Sequence, residues 1–225
     1  WGFVILPIAS FLIIRMSWII PLISWSPANI LVGLLILIGS LSWLSTSVKS
    51  GLIYQYGMGF WGPHGHDGIW HLSLIEGLKT GLPAQNSVFA GEILKNYHFF
   101  YDLLLAATSI LTSIPSVDLY FRFYPVLISL LAGLISFILA RAWLKSNLAS
   151  LLAVFFVYFG GSFGWIVSYF KNQGFGGESL FWAQQAISTL INPPFAISVL
   201  IFLAGLYLFH KVTGQKDQIM SLAIP

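Results

Sequence analysis

Apolar residues run along this chain in long blocks separated by short polar turns. A helix needs roughly 20 apolar residues to cross a hydrocarbon core. The blocks 2–24, 27–45, 120–142, 147–170 and 193–210 reach that length, and a further one opens near Ile219. Between 46 and 119 the pattern changes. There, Ile69, Trp70, Leu72, Leu74, Ile75 and Leu78 cover more than half the circumference of a helix over 67–80. That distribution suits a helix lying at an interface, partly against protein. Asp67 fits its first turn, near the positive end of the dipole, and Gly81 and Pro83 stop it. A second apolar segment, 98–114, is borderline for crossing. The pattern predicts an all-α chain: one polytopic transmembrane helical bundle, with juxtamembrane helices 67–80 and 98–114 in a large extracytoplasmic loop, 46–119.

Composition agrees. The 225 residues are 57% hydrophobic and 8% charged, with a mean hydropathy of +0.86. Soluble domains carry about 25% charged residues, and a soluble core could not hide this much apolar surface. The net charge of +3 comes from scattered basic residues, which excludes a nucleic-acid footprint. With no cysteine, disulfides and thiolate metal sites are excluded. Residues 1–24 are too long for a signal peptide and lack its basic start and cleavage site. The chain opens on Trp1 and closes on Pro225 inside an apolar stretch, so it reads as an N-terminal portion of a longer protein.

Charge sets the orientation. Arg141, Lys145, Lys211 and Lys216 flank helix ends and belong in the cytoplasm under the positive-inside rule. The Ser24–Ser26 turn is then cytoplasmic too, and 46–119 lies outside, provided that 98–114 does not cross. If it crosses, everything after it inverts. Under the first arrangement every acidic residue except Asp217 falls outside, and His64, His66, His71 and His98 gather in the external loop. Two features interrupt the spans. Arg15, between Pro7 and Pro21, places a costly charge in the first. The run Phe159-Gly160-Gly161-Ser162-Phe163-Gly164-Trp165 breaks the fourth, as a packing seam or as a break lining a substrate path.

The loop carries the candidate chemistry. Asp67 and His71 stand four residues apart on one helix face, as a base beside an imidazole or as a helix cap beside an interfacial residue. His64-x-His66-Asp67 has the donors for a divalent cation but too few for a cage. Glu92, Tyr97, His98, Tyr101 and Asp102 mix hydrogen-bonding edges with aromatic faces, which suits a sugar or anchoring at the interface. His98 and Asp102 are again four apart. Arg122 opens the next span after Asp118, placed to hold a phosphate or to snorkel.

These residues carry a resemblance. The segments His66-Asp67-Gly68-Ile69-Trp70-His71 through Leu78-Lys79-Thr80-Gly81-Leu82-Pro83, Ala90-Gly91-Glu92, Asn96-Tyr97-His98-Phe99-Phe100-Tyr101-Asp102-Leu103 and Leu119-Tyr120-Phe121-Arg122-Phe123-Tyr124-Pro125 follow one another in this order. Over about 27–145 the chain resembles the GT-C superfamily of integral-membrane glycosyltransferases, most of all its bacterial and archaeal members. The resemblance implies a multi-pass protein of a prokaryotic plasma (inner) membrane. Its donor would be a polyprenyl-phosphate sugar, its acceptor is unidentified, and the bilayer is its other partner. Asp67 would be the catalytic base, acting with inversion. Substrate would meet His66, His71, Glu92, Tyr97, His98, Tyr101, Asp102 and Arg122. A divalent cation is the one cofactor left open, since the Asp-x-Asp pair of some relatives is missing. The rival readings are a membrane transporter or channel, whose spans would carry more charge, and a non-catalytic assembly subunit.

Overall fold

The computed structural model describes residues 27–161, 164–173, 190 and 192–222. The first expected span, 2–24, with Arg15 and the Ser24–Ser26 turn, lies outside these residues. The described chain is mostly helical. Helix α1, Pro27–Leu44, opens with proline at its first turn, where no amide hydrogen is needed. A short hairpin follows, β1 Leu52–Tyr54 against β2 Gly57–Gly59, in register Leu52↔Gly59. Then come α2, Asp67–Thr80, and α3, Phe100–Thr112. Helix α4 runs Ser116–Leu144, with a π turn at Leu119–Phe123. Helices α5, Asn147–Phe159, α6, Gly164–Asn172, and α7, Pro193–Leu222, complete the order.

Aromatic contacts show how the long helices align. Near the C-terminal end of α1, Trp43 meets Tyr158 at the end of α5 at 5.2 Å between ring centroids, and its Nε1–H donates to the Tyr158 carbonyl at 3.2 Å. The Tyr158 hydroxyl donates to the Ser129 carbonyl of α4. Near the other end of α4, Trp143 meets His210 of α7 at 6.0 Å. Helices α1 and α5 therefore run one way, and α4 and α7 the other. The first turns of α4 project beyond α1 and α5, and the segment 46–112 wraps them: Phe121 packs under His64 and Gly68, and Tyr120 under His71 and Tyr101.

The bundle is apolar outside and hydroxylated inside. Leu34 and Leu41 of α1, Leu127 and Leu134 of α4, Phe156 of α5 and Phe202 and Phe209 of α7 are exposed, while Ser40, Ser129, Ser136 and Ser150 are buried. Seams of small and hydroxyl residues are how helices approach one another in lipid. Among the described residues two helices, Ser116–Leu144 and Pro193–Gly214, are long and apolar enough to cross a membrane.

The pattern and the structure differ in three places. The block 147–170 is not one helix: α5 stops at Phe159, where Gly160 turns extended, and α6 starts afresh. No separate element opens near Ile219, because α7 continues helically through the charged residues to Leu222. The loop, expected to hold only helices, contains a hairpin; Gly57 at φ 120° makes its turn, in a conformation glycine alone adopts readily. The segment 98–114 forms a helix of 13 residues. That length rises only about 20 Å, short of the roughly 30 Å hydrocarbon core. Ser113, in the left-handed region, closes it as its main-chain N–H donates to the Ser109 carbonyl.

Candidate functional site

Asp67 is the first residue of α2, and the residue before it, His66, makes no side-chain cap. His66 Nδ1–H donates to Asp67 Oδ1 at 2.7 Å, with His66 93% and Asp67 46% exposed. Both border a cavity of about 610 Å³, together with Trp70, Ser73, Ser87 and Tyr97. Trp70 and Tyr97 form an edge-to-face wall at 5.7 Å, and Tyr97 stacks on His98 at 4.5 Å. Partial burial, reinforced by the negative charges of Asp102 and Asp67, pushes the Tyr97 phenol up, so it stays a neutral donor. The cavity thus combines one carboxylate, two hydroxyl-bearing serines and two aromatic faces.

A second polar centre lies inside the protein. His71 Nδ1–H donates to Asp102 Oδ1 at 2.9 Å, with side chains 3% and 0% exposed. Tyr120 stacks on the imidazole at 5.7 Å. Asp102 Oδ2 and the hydroxyls of Tyr101 and Tyr120 are buried without a hydrogen-bond partner among the described residues. The spacing rule links His71 to Asp67 and His98 to Asp102. The structure instead pairs His71 with Asp102, and Asp67 with His66, because α3 folds back on α2.

His64 is fully buried and holds the loop together. Ser50 Oγ–H donates to Nδ1 at 2.8 Å, and Nε2–H donates to the Leu190 carbonyl at 3.2 Å. Desolvation lowers its pKa, against the raising pull of the Leu190 carbonyl and Asp67, and keeps the ring neutral. Both ring nitrogens are occupied, so His64 has none left for a cation beside His66. Among the described residues no group of three or more histidines and carboxylates converges as a metal cage.

The remaining candidates separate. Arg122 donates from one nitrogen to Asp118 Oδ1 at 2.6 Å and from the other to the Ser50 carbonyl at 3.2 Å. Glu92 is exposed in the turn closed by the Gln85↔Ile93 bridge; that turn lends Ser87 and Val88 to the cavity, but Glu92 does not line it. His98 and Tyr101 border a different cavity, against α7. Of the sequence candidates, Asp67, His66 and Tyr97 share the open cavity. Sequence reasoning did not find Ser50 and Tyr120. Ser50 carries no local signal, and Tyr120 reads only as one more aromatic in an apolar block. No family model, curated protein or solved structure matches this chain.

Proposed function

We propose that the chain is a polytopic membrane glycosyltransferase of GT-C type, which moves a sugar from a polyprenyl-phosphate donor to an acceptor hydroxyl on the extracytoplasmic face. The observation that supports it most is the half-exposed Asp67 carboxylate in an aromatic-walled cavity at one end of an apolar-surfaced bundle. The basic residues Arg141, Lys145 and Lys211 stand at the opposite end, the end the positive-inside rule puts in the cytoplasm. Trp70 and Tyr97 offer flat faces to the apolar side of a sugar ring, and Ser73 and Ser87 offer hydroxyls to its edge.

In this reading Asp67 takes the acceptor hydroxyl proton as the acceptor oxygen bonds to the anomeric carbon. The bond from that carbon to the phosphate oxygen breaks, and the electron pair leaves with polyprenyl phosphate. Lipid phosphate leaves as a stable anion, so the acceptor needs a base more than the leaving group needs an acid. His66, bonded to Asp67, orients the carboxylate. The test is the full-length protein in proteoliposomes with radiolabelled polyprenyl-phosphate sugars. Asp67→Asn should lower transfer at least about 100-fold with thermal unfolding unchanged; transfer within twofold of the parent refutes the assignment.

A further inference from the structure

The hairpin β1–β2 carries apolar side chains on both of its faces. Register places Ile53 opposite Met58 on one face. On the other, the Tyr54 ring lies over Gly59 and stacks on Tyr56 at 5.3 Å. Leu52, Ile53, Tyr54, Tyr56 and Met58 are all exposed, Ile53 by 75% and Tyr56 by 76%. An antiparallel sheet in water packs one face on a core and turns a polar face outward. This hairpin does neither. From Ser50 to His66 the sequence holds no Asp, Glu, Lys or Arg.

Its base, by contrast, is fixed. The Gly51 N–H donates to the Gly59 carbonyl at 2.8 Å, and Phe60 packs edge-to-face on Phe121 at 5.9 Å. Ser50 is held by His64 through its hydroxyl and by Arg122 through its carbonyl. A two-stranded hairpin alone in water is marginally stable. An anchored base under an uncovered apolar tip therefore points to a partner for the tip.

Three observations identify that partner as lipid. Exposed apolar residues continue from the outer surface of α1 at Leu37 and Leu41, through Val48, to Leu52 and Ile53. A Cβ at Gly51 would meet Val117, so the hairpin stands beside the first turn of Ser116–Leu144, a helix of membrane-crossing length. The one charge next to the hairpin on its N-terminal side is a cation, Lys49, exposed and in no ion pair among the described residues. A lysine there suits the phosphates of lipid headgroups. Tyrosine rings concentrate at headgroup level. The unpaired main-chain groups on the hairpin's outer edges need water or headgroups, which sets the depth at the interface and not in the hydrocarbon core.

We propose that the tip of this hairpin, Ile53 to Met58, is an interfacial anchor. It dips into the leaflet that α1 reaches with its C-terminal end, with Ile53, Tyr56 and Met58 among the uppermost acyl carbons and Lys49 at the phosphates. Through His64 and Phe121 the anchor sets the level of the Asp67 helix against the membrane surface. It does not depend on glycosyl transfer.

The chain has no cysteine, so Ile53→Cys and Tyr56→Cys can each carry a single nitroxide label. The labelled full-length protein is placed one copy per nanodisc of phosphatidylcholine and phosphatidylglycerol. Power saturation then reads access to oxygen, which concentrates in lipid, and to a nickel chelate, which stays in water. Both labels should favour oxygen, at a depth of about 5–10 Å. Met58→Cys gives the same reading should either variant not fold. Adding Ile53→Asp to the Tyr56→Cys protein should reverse the preference, because a carboxylate resists transfer into lipid. Ready access of the nickel chelate to both labels overturns the proposal. So does low access to both reagents, which would mean that protein covers the tip. An oxygen preference that Ile53→Asp leaves unchanged also overturns it, since the label and not the hairpin would then be seeking lipid.

Discussion

His71 and Asp102 lie 31 positions apart and meet at 2.9 Å with neither side chain open to solvent. The contact ties α2 to α3 beneath the Asp67 cavity. Removing one member of a buried polar pair leaves the other unsatisfied, which costs about 1–3 kcal/mol. Replacing both with apolar residues is far milder. Asp102→Ala should therefore lower stability by about 1–3 kcal/mol, because the His71 N–H is left buried and unmet. The double variant His71→Leu, Asp102→Leu should recover more than half of that loss. Unfolding of the double variant and of the single variants His71→Leu and Asp102→Leu in mixed micelles measures the coupling. Additive losses would mean that the pair does not act as a unit.

Much of the scaffold was legible because it is local. The helix Asp67–Thr80 begins and ends at residues whose chemistry marks ends, and α1, α3 and the start of α4 follow runs of apolar residues. The candidate site was half legible. Asp67, His66 and Tyr97 share a cavity, but the pairing of the imidazoles was not readable. Spacing of i, i+4 says which residues share a helix face, not which residue faces them from another helix. His71 finds its partner through the fold-back of α3, and His64 through Ser50 and Leu190. The hairpin was hidden for another reason. Glycine and aromatics at 51–61 signal a turn, but three-residue strands are too short to show alternation.

His64 makes stability depend on pH. Its buried ring has a pKa below the ordinary value of 6.5, through desolvation. A histidine held neutral in the fold binds its proton more readily once unfolded. Its contribution is therefore complete above pH 6.5 and falls as pH drops from there through the lower folded value. The slope attributable to one proton approaches about 1.4 kcal/mol per pH unit. His64→Gln should remove that slope, so the difference between parent and variant should shrink as pH falls from 7.5 to 5. A difference that is flat with pH would show that the imidazole is not held neutral.

Tyr158 locks α5 to its neighbours, and two glycines make room for it. A Cβ at Gly39 would collide with the Tyr158 ring, and one at Gly133 with its hydroxyl end, whereas a Cβ at Gly33 meets nothing within 4 Å. Gly39→Ala and Gly133→Ala should each destabilise the protein by about 1–3 kcal/mol, the usual cost of overpacking. Gly33→Ala, in the same helix as Gly39, should be neutral or stabilising by up to about 1 kcal/mol. Tyr158→Ala should cost about 3–5 kcal/mol through the void it leaves. Thermal unfolding of the four variants in one detergent gives the ranking. Equal effects of Gly33→Ala and Gly39→Ala would exclude the tyrosine seam.

Arg122 separates a scaffolding role from a ligand-binding one. Its guanidinium reaches Asp118 with one nitrogen and the Ser50 carbonyl with another, and Ser50 in turn holds His64. The arginine therefore fastens the hairpin end of the loop to the first turns of α4. Arg122→Gln should detach that fastening and raise amide exchange over residues 51–65, by about 1–3 kcal/mol of lost protection. Asp118→Asn should give a smaller rise, since the bond to the Ser50 carbonyl survives. The Gln85↔Ile93 turn should exchange as in the parent, because nothing in it leans on Arg122. If Arg122→Gln leaves exchange over 51–65 unchanged while weakening binding of lipid phosphate, the guanidinium serves the ligand and not the loop.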